Sequence, residues 1–236
     1  MDIGASGSRG RSTTSYGGRR GILKAGLALA LLPFASPAAG TAPPLVLAFG
    51  DSLTAGYQLR PSESFPAQLA AALRREGIAA RVHNAGVSGD TSAQGRARLG
   101  WVLKSLPTPP AVAIVALGAN DMLRGQPPGP MRDNLDAIIT TLKARGSQVI
   151  LAGMRAAPNL GRAYARAYEA VFPELARRHD VRLYPFFLEG VAANPRLLLA
   201  DGMHPNPAGV AVMVRGILPL VRAALADATG RTARTA

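Results

Sequence analysis

Between residues 45 and 226 the hydrophobic positions follow two alternating patterns. The apolar runs at 45–49 and 111–117 have the length and density of buried strands, and 81–85, 148–154 and 181–184 also read as strands. Between them lie longer segments, 65–75, 92–106, 131–145, 161–178 and 207 to about 226, that predict amphipathic helices. The punctuation agrees. Ser64-Phe65-Pro66 reads as an N-cap followed by an early helical proline, and Asn206-Pro207 repeats that arrangement. Gly77 and Gly146 stand just past helix ends, and Pro107 stops the second helix. Five strands, each followed by a helix, predict an α/β domain with a parallel sheet covered on both faces. In such sheets sites open beyond the carboxyl ends of the strands. Three polar, glycine-containing segments stand there: Gly50-Asp51-Ser52, Ser88-Gly89-Asp90 and Gly118-Ala119-Asn120-Asp121.

The first 42 residues break this pattern. A Gly/Ser/Arg-rich stretch leads to Arg19-Arg20-Gly21-Ile22-Leu23-Lys24, then an apolar run over 25–35, then small residues over 36–40. This is the layout of an export signal, and the arginine pair resembles a twin-arginine signal. The run is shorter than the roughly 20 residues that span a bilayer, and no later run is expected to approach that length, so the mature chain is expected to carry no integral membrane segment. The expected organisation is a signal and linker over 1–42, one domain over 43–228 and a flexible tail over 229–236, with the mature chain periplasmic or secreted.

Composition narrows the chemistry. The chain has 236 residues, enough for one well-cored domain. It has no cysteine, which excludes disulfides, a thiol nucleophile and thiolate metal ligands. Of the +13 formal charge, the five basic residues and Asp2 within the first 40 account for +4. The remaining arginines are scattered over helical segments without interleaved aromatics. That reads as a solvated surface, not a nucleic-acid face. Asp51, Asp90 and Asp121 lack a histidine spaced to join them, so no metal site is expected, and no phosphate-cradling Gly-x-x-x-x-Gly-Lys loop occurs.

A serine nucleophile needs a base, a group that orients the base, and donors for an oxyanion. Ser52 directly follows the first strand. Ser62, Ser64, Ser88 and Ser92 also lie in loops or at helix starts, where Ser64 and Ser92 can serve as caps. Thr54 stands where a Gly-x-Ser-x-Gly elbow would have its second glycine. Of the three histidines, His83 is expected to be packed inside the second strand and His179 to close a helix, where a cation suits the dipole. His204 lies in Asp201-Gly202-Met203-His204, so Asp201 can reach its imidazole across a short turn. The backbone N–H groups of Ser52 and Gly89 and the Asn120 amide are candidate oxyanion donors, with Gly89 expected to let the chain approach substrate without a Cβ. Taken singly, His204 also fits a surface turn and Asn120-Asp121 a cap pair.

In this order the blocks Gly50-Asp51-Ser52-Leu53, Gly89, Gly118-x-Asn120-Asp121 and Asp201-x-x-His204 resemble the four motif blocks of the SGNH (GDSL) hydrolases. The stretches Ser52-Leu-Thr-Ala-Gly-Tyr57, Asn84-Ala-Gly-Val-Ser-Gly-Asp-Thr-Ser92 and Asp121-Met-Leu-Arg-Gly125 are similar to its bacterial thioesterase/protease/lysophospholipase subfamily. The resemblance implies a three-layer α/β/α fold with a five-stranded parallel flavodoxin-like sheet. It implies Ser52, Asp201 and His204 as catalytic residues, Ser52, Gly89 and Asn120 as the oxyanion hole, and Asp51, Asp121 and Leu123 as substrate-binding residues. No cofactor is implied. The partner implied is a small ester or thioester, with a lipid as a candidate substrate. Two departures stand out: Ala119 replaces a glycine frequent in relatives, and the proline-rich 125–130 segment occupies the place of a loop that helps cover the acyl chain. An O-acetyl esterase of cell-wall carbohydrate is the alternative within this fold, and an exported lipid-binding protein is the non-enzymatic alternative.

Overall fold

The computed structural model describes Thr13 and residues 42–235. The expected export signal and linker over 1–42 lie almost wholly outside those residues. Five parallel strands, β1 (Leu45–Gly50), β2 (Arg81–Gly86), β3 (Val112–Ala116), β4 (Gln148–Ala152) and β5 (Arg182–Tyr184), form one sheet in the order β2-β1-β3-β4-β5. The helices are α1 (Ser52–Ala55), α2 (Phe65–Arg75), α3 (Ser92–Ser105), α4 (Ala119–Leu123), α5 (Pro128–Ala144), α6 (Arg162–His179) and α7 (Pro207–Thr235).

The strand alternation builds two cores. Val46 and Ala48 face Phe65, Leu69 and Leu73 of α2 and Val210, Met213 and Ile217 of α7. Leu47 and Phe49 face Leu99 of α3, Leu135 and Ile138 of α5, and Tyr168 and Phe172 of α6. β1 and β3 are therefore buried on both faces, as their unbroken apolar runs predict. The order reverses direction between β1 and β3, and an open parallel sheet forms its crevice at such a switch point. The Ser52 and Asn120 segments leave the sheet on the two sides of that point.

Four expectations change. His83, expected in the core, is exposed, because β2 is an edge strand and the residue paired with buried Leu47 lies beyond the covering helices. The last helix, expected to end near 226, continues through Thr235, so the tail expected over 229–236 is helical as far as that residue. Buried Ala224, Leu225 and Ala228 and an ion pair between Arg182 and Asp227 carry it past 226. A later segment does reach spanning length: an 18-residue window within 207–230 has a mean hydropathy of 1.7, though Val210, Met213, Val214, Ile217 and Val221 form the stripe packed into the core. Finally, the 125–130 segment is only partly loop, since Pro128 opens α5.

Candidate active site

The Ser52 turn is built by its neighbours. Asp51 caps the four-residue α1 by accepting the Leu53 N–H at 3.0 Å, and Gly56 closes it in the left-handed region. A Cβ on Gly50 would meet Thr54 Oγ1 at 2.2 Å and the Ala116 carbonyl at 2.6 Å. Glycine is required there because α1 lies against the strand end. Thr54, in the position of the missing elbow glycine, is the buried residue that fills this contact.

His204 arrives from the other end of the chain. The Leu199 N–H donates to the His204 carbonyl at 2.7 Å, and the Asn206 N–H to the Leu197 carbonyl at 2.9 Å. Asn206 Oδ1 caps α7 by accepting the Gly209 N–H at 3.0 Å, as the Asn-Pro pair predicts. In this frame His204 Nε2 lies 2.9 Å from Ser52 Oγ, and His204 Nδ1 lies 2.7 Å from Asp201 Oδ2. Asp201 Oδ1 accepts the backbone N–H groups of Met203 and His204 at 2.9 and 3.0 Å. Those backbone bonds, with the imidazole, hold the Asp201 carboxyl down at about 2. An ionised Asp201 only accepts, so Nδ1 carries the hydrogen and Nε2 is left to accept the Ser52 proton. The Tyr57 ring lies 4.5 Å from the imidazole, centroid to centroid.

The loop after β2 is clamped from three sides. Arg98 pairs with Asp90 at 2.5 Å and donates to the Gly50 carbonyl at 3.0 Å, Arg124 Nη2 donates to the Gly89 carbonyl at 2.8 Å, and Asn120 Nδ2 donates to the Asp90 carbonyl at 3.0 Å. Gly89 has φ +86°, and nothing lies within 4 Å of a Cβ built there. Its positive φ by itself favours glycine, and the space where a Cβ would stand is open. The Ser52 N–H belongs to the first turn of α1, where helical N–H groups have no acceptor within the helix.

Ser52, Gly89 and Asn120 line one cavity of about 250 Å³, together with Leu53, Tyr57, Ser88, Met122, Leu123, Met154, Leu188, Met203 and His204. Leu123 is half exposed at its wall, where it can meet substrate. Asp121, expected to bind substrate, does not line it. Asp121 is 2% exposed, with Oδ2 accepting the Ser92 N–H at 2.8 Å and Oδ1 the Ser92 hydroxyl at 2.6 Å. Ser92, expected to cap α3, is instead this buried partner, and Thr91 makes the cap. Asp51 borders the cavity, but its carboxyl is turned inward to the Leu53 N–H and, at 3.4 Å, to the Asn120 amide, so it meets substrate only through its neighbours. Among the described residues no cluster of three metal-ligating side chains occurs.

Burial outweighs the Leu53 bond and, with the charges of Asp90 and Asp121, pushes the Asp51 carboxyl up to about 7. A folded-state value above the unfolded one means the folded chain holds a proton that the unfolded chain releases. Stability should therefore fall as pH rises between about 4 and about 7. Urea midpoints at about pH 4.5 and about pH 7.5 should drop further for the wild type than for Asp51→Asn. Equal drops would contradict this.

Several cleft residues escaped the sequence reading. Met154 and Leu188 follow β4 and β5, at the same carboxyl edge of the sheet, but the segments that carry them lack the small polar residues that mark the ends of the first three strands. Tyr57 and Met203 lie inside the motif stretches.

Residues 48–212 match the model of the GDSL-like lipase/acylhydrolase family. The chain is 40% identical over 177 residues to an arylesterase of Vibrio mimicus, covering 75% of this chain and 88% of that one. It is 41% identical over 180 residues to thioesterase 1/protease 1/lysophospholipase L1 of Escherichia coli K12, covering 76% and 82%. The crystal structure of AlinE4, an SGNH-hydrolase family esterase, shares 48% identity at a TM-score of 0.67, covering 79% of this chain and 98% of that one.

Proposed function

For this chain, which belongs to the GDSL-like lipase/acylhydrolase family, we propose that Ser52 is the nucleophile, His204 its general base and Asp201 the carboxylate that orients the base. The chain is an enzyme, a serine esterase of the SGNH type. The observation that supports these roles most directly is the unbroken contact from Asp201 through His204 to Ser52, at 2.7 and 2.9 Å.

His204 Nε2 takes the hydroxyl proton as Ser52 Oγ attacks the ester carbonyl. The oxyanion receives hydrogen bonds from the Ser52 and Gly89 N–H groups and the Asn120 amide. His204 then protonates the leaving oxygen or sulfur, the acyl group stays on Ser52, and water activated by His204 releases it. The Asp90 carbonyl holds one amide hydrogen of Asn120 at 3.0 Å, and the other, in the longer 3.4 Å contact with Asp51 Oδ2, is the one that turns to the oxyanion. Asn120→Ala should lower kcat on p-nitrophenyl acetate by about 10²–10³-fold. A loss below about threefold would remove Asn120 from the oxyanion site.

The substrates proposed are aryl esters and esters of short-to-medium acyl chains, with acyl thioesters and lysophospholipids as further candidates. The cleft is mostly apolar, and about 250 Å³ lies just below the roughly 300–1,000 Å³ of drug-sized sites. Initial rates on p-nitrophenyl esters from acetyl to palmitoyl, with one acyl-CoA and one lysophospholipid, test this. Turnover should peak at short-to-medium chains and decline toward palmitoyl. Absence of ester turnover would contradict the reading. Turnover confined to acetylated carbohydrate would move it to the cell-wall alternative.

The proposed destination is the periplasm or the exterior, through the twin-arginine route. Its support is the sequence of residues 1–42, with Arg19-Arg20 ahead of a short apolar run.

A further inference from the structure

The chain contains no cysteine, so its sulfur chemistry belongs to methionine alone. Five methionines lie among the described residues, and three of them, Met122, Met154 and Met203, line the single cleft that holds Ser52 and His204. Their exposure differs sharply. Met122, Met131 and Met213 are 6%, 1% and 0% exposed and Met154 is partly buried, whereas Met203 is 47% exposed. Met203 also sits inside the Asp201–His204 turn, where its N–H donates to Asp201 Oδ1 at 2.9 Å. The most exposed methionine among the described residues is thus part of the apolar wall beside the reacting serine.

We propose that Met203 is an oxidation site through which peroxide narrows the range of acyl chains the cleft accepts. This rests on the ester-hydrolase reading of the same cleft. A lone pair of Met203 Sδ attacks one oxygen of hydrogen peroxide, the O–O bond breaks, and the products are methionine sulfoxide and water. Sulfur loses two electrons and the peroxide gains them, so no further reactant is needed. The sulfoxide replaces a flexible apolar side chain with a polar one, and methionine sulfoxide reductases reverse the change with two electrons from a dithiol, which becomes a disulfide as the sulfoxide oxygen leaves as water. A long acyl chain laid against Met203 would have to strip water from that new oxygen, whereas an acetyl group need not reach it. Trp101, 73% exposed on α3, is the competing oxidisable side chain, and it does not line the cleft.

The test treats the chain with dilute hydrogen peroxide, maps the peptides by mass, and compares p-nitrophenyl octanoate with p-nitrophenyl acetate. Met203 should gain one oxygen before Met122, Met131, Met154, Met213 and Trp101. The octanoate-to-acetate rate ratio should fall by about tenfold, and treatment with methionine sulfoxide reductases and dithiothreitol should restore it. Met203→Leu, which conserves volume, should show the same ratio before and after peroxide. Earlier oxidation elsewhere would overturn the proposal. So would an unchanged ratio once Met203 is oxidised, or an equal fall in Met203→Leu. If the untreated chain hydrolyses neither ester, the ester reading fails, and the peptide map still decides whether Met203 is the preferred site.

Discussion

Ser52→Ala is expected to lower kcat on p-nitrophenyl esters by roughly 10⁴–10⁶-fold while leaving the fold intact. The size follows from the loss of the covalent path, because binding and the oxyanion donors alone retain only a small residual acceleration. The intact fold follows from how the turn is held. Asp51 caps α1, Gly56 closes it, and the Gly50–Thr54 contact seats it on the sheet. The Ser52 hydroxyl contributes none of these, and its contact is with His204 Nε2. Far-ultraviolet circular dichroism and the thermal midpoint should therefore match the wild type. A variant that keeps more than about one per cent of wild-type turnover would place the nucleophile elsewhere.

Asp201→Asn is expected to cost about 10⁴-fold in kcat, as the corresponding change does in a serine protease triad. The Asn carbonyl can still accept the backbone N–H groups of Met203 and His204, so the turn survives. Its amide then donates to Nδ1, which forces the imidazole hydrogen onto Nε2 and removes the acceptor that Ser52 requires. The wild-type carboxyl, held at about 2, stays ionised far into acid. The acid limb of the wild-type rate profile should accordingly report another group, and no inflection near pH 4 should be assignable to Asp201. Asp201→Asn with better than about a tenth of wild-type kcat would contradict the orienting role.

Much of this was legible before any coordinate. The β1 and β3 runs are buried on both faces, and no other element fits an unbroken apolar run of five or six residues that ends in polar residues. Asn206-Pro207 marked the start of α7, and the turn ahead of it put Asp201 three residues from His204. What sequence alone could not resolve depends on three-dimensional neighbours. His83 carries the same local pattern as a core strand residue, and only the sheet order shows that β2 is an edge. Ser92 and Thr91 are both good caps; the choice was made by Asp121, which arrives from β3 and takes both donors of Ser92. That same bond withdraws Asp121 from the cleft. The positive φ of Gly89 is likewise invisible in a string, and it adds a conformational reason for glycine there. The last helix was expected to end near 226 because nothing in the string shows that Ala228, beyond that point, is buried.

The proposed roles meet at one atom, Ser52 Oγ. Incubating the chain with a fluorophosphonate and mapping the adduct by peptide mass tests them most directly. A single adduct on the peptide containing Ser52, absent from Ser52→Ala, is the expected result. Labelling of another serine, or undiminished labelling of Ser52→Ala, would contradict it.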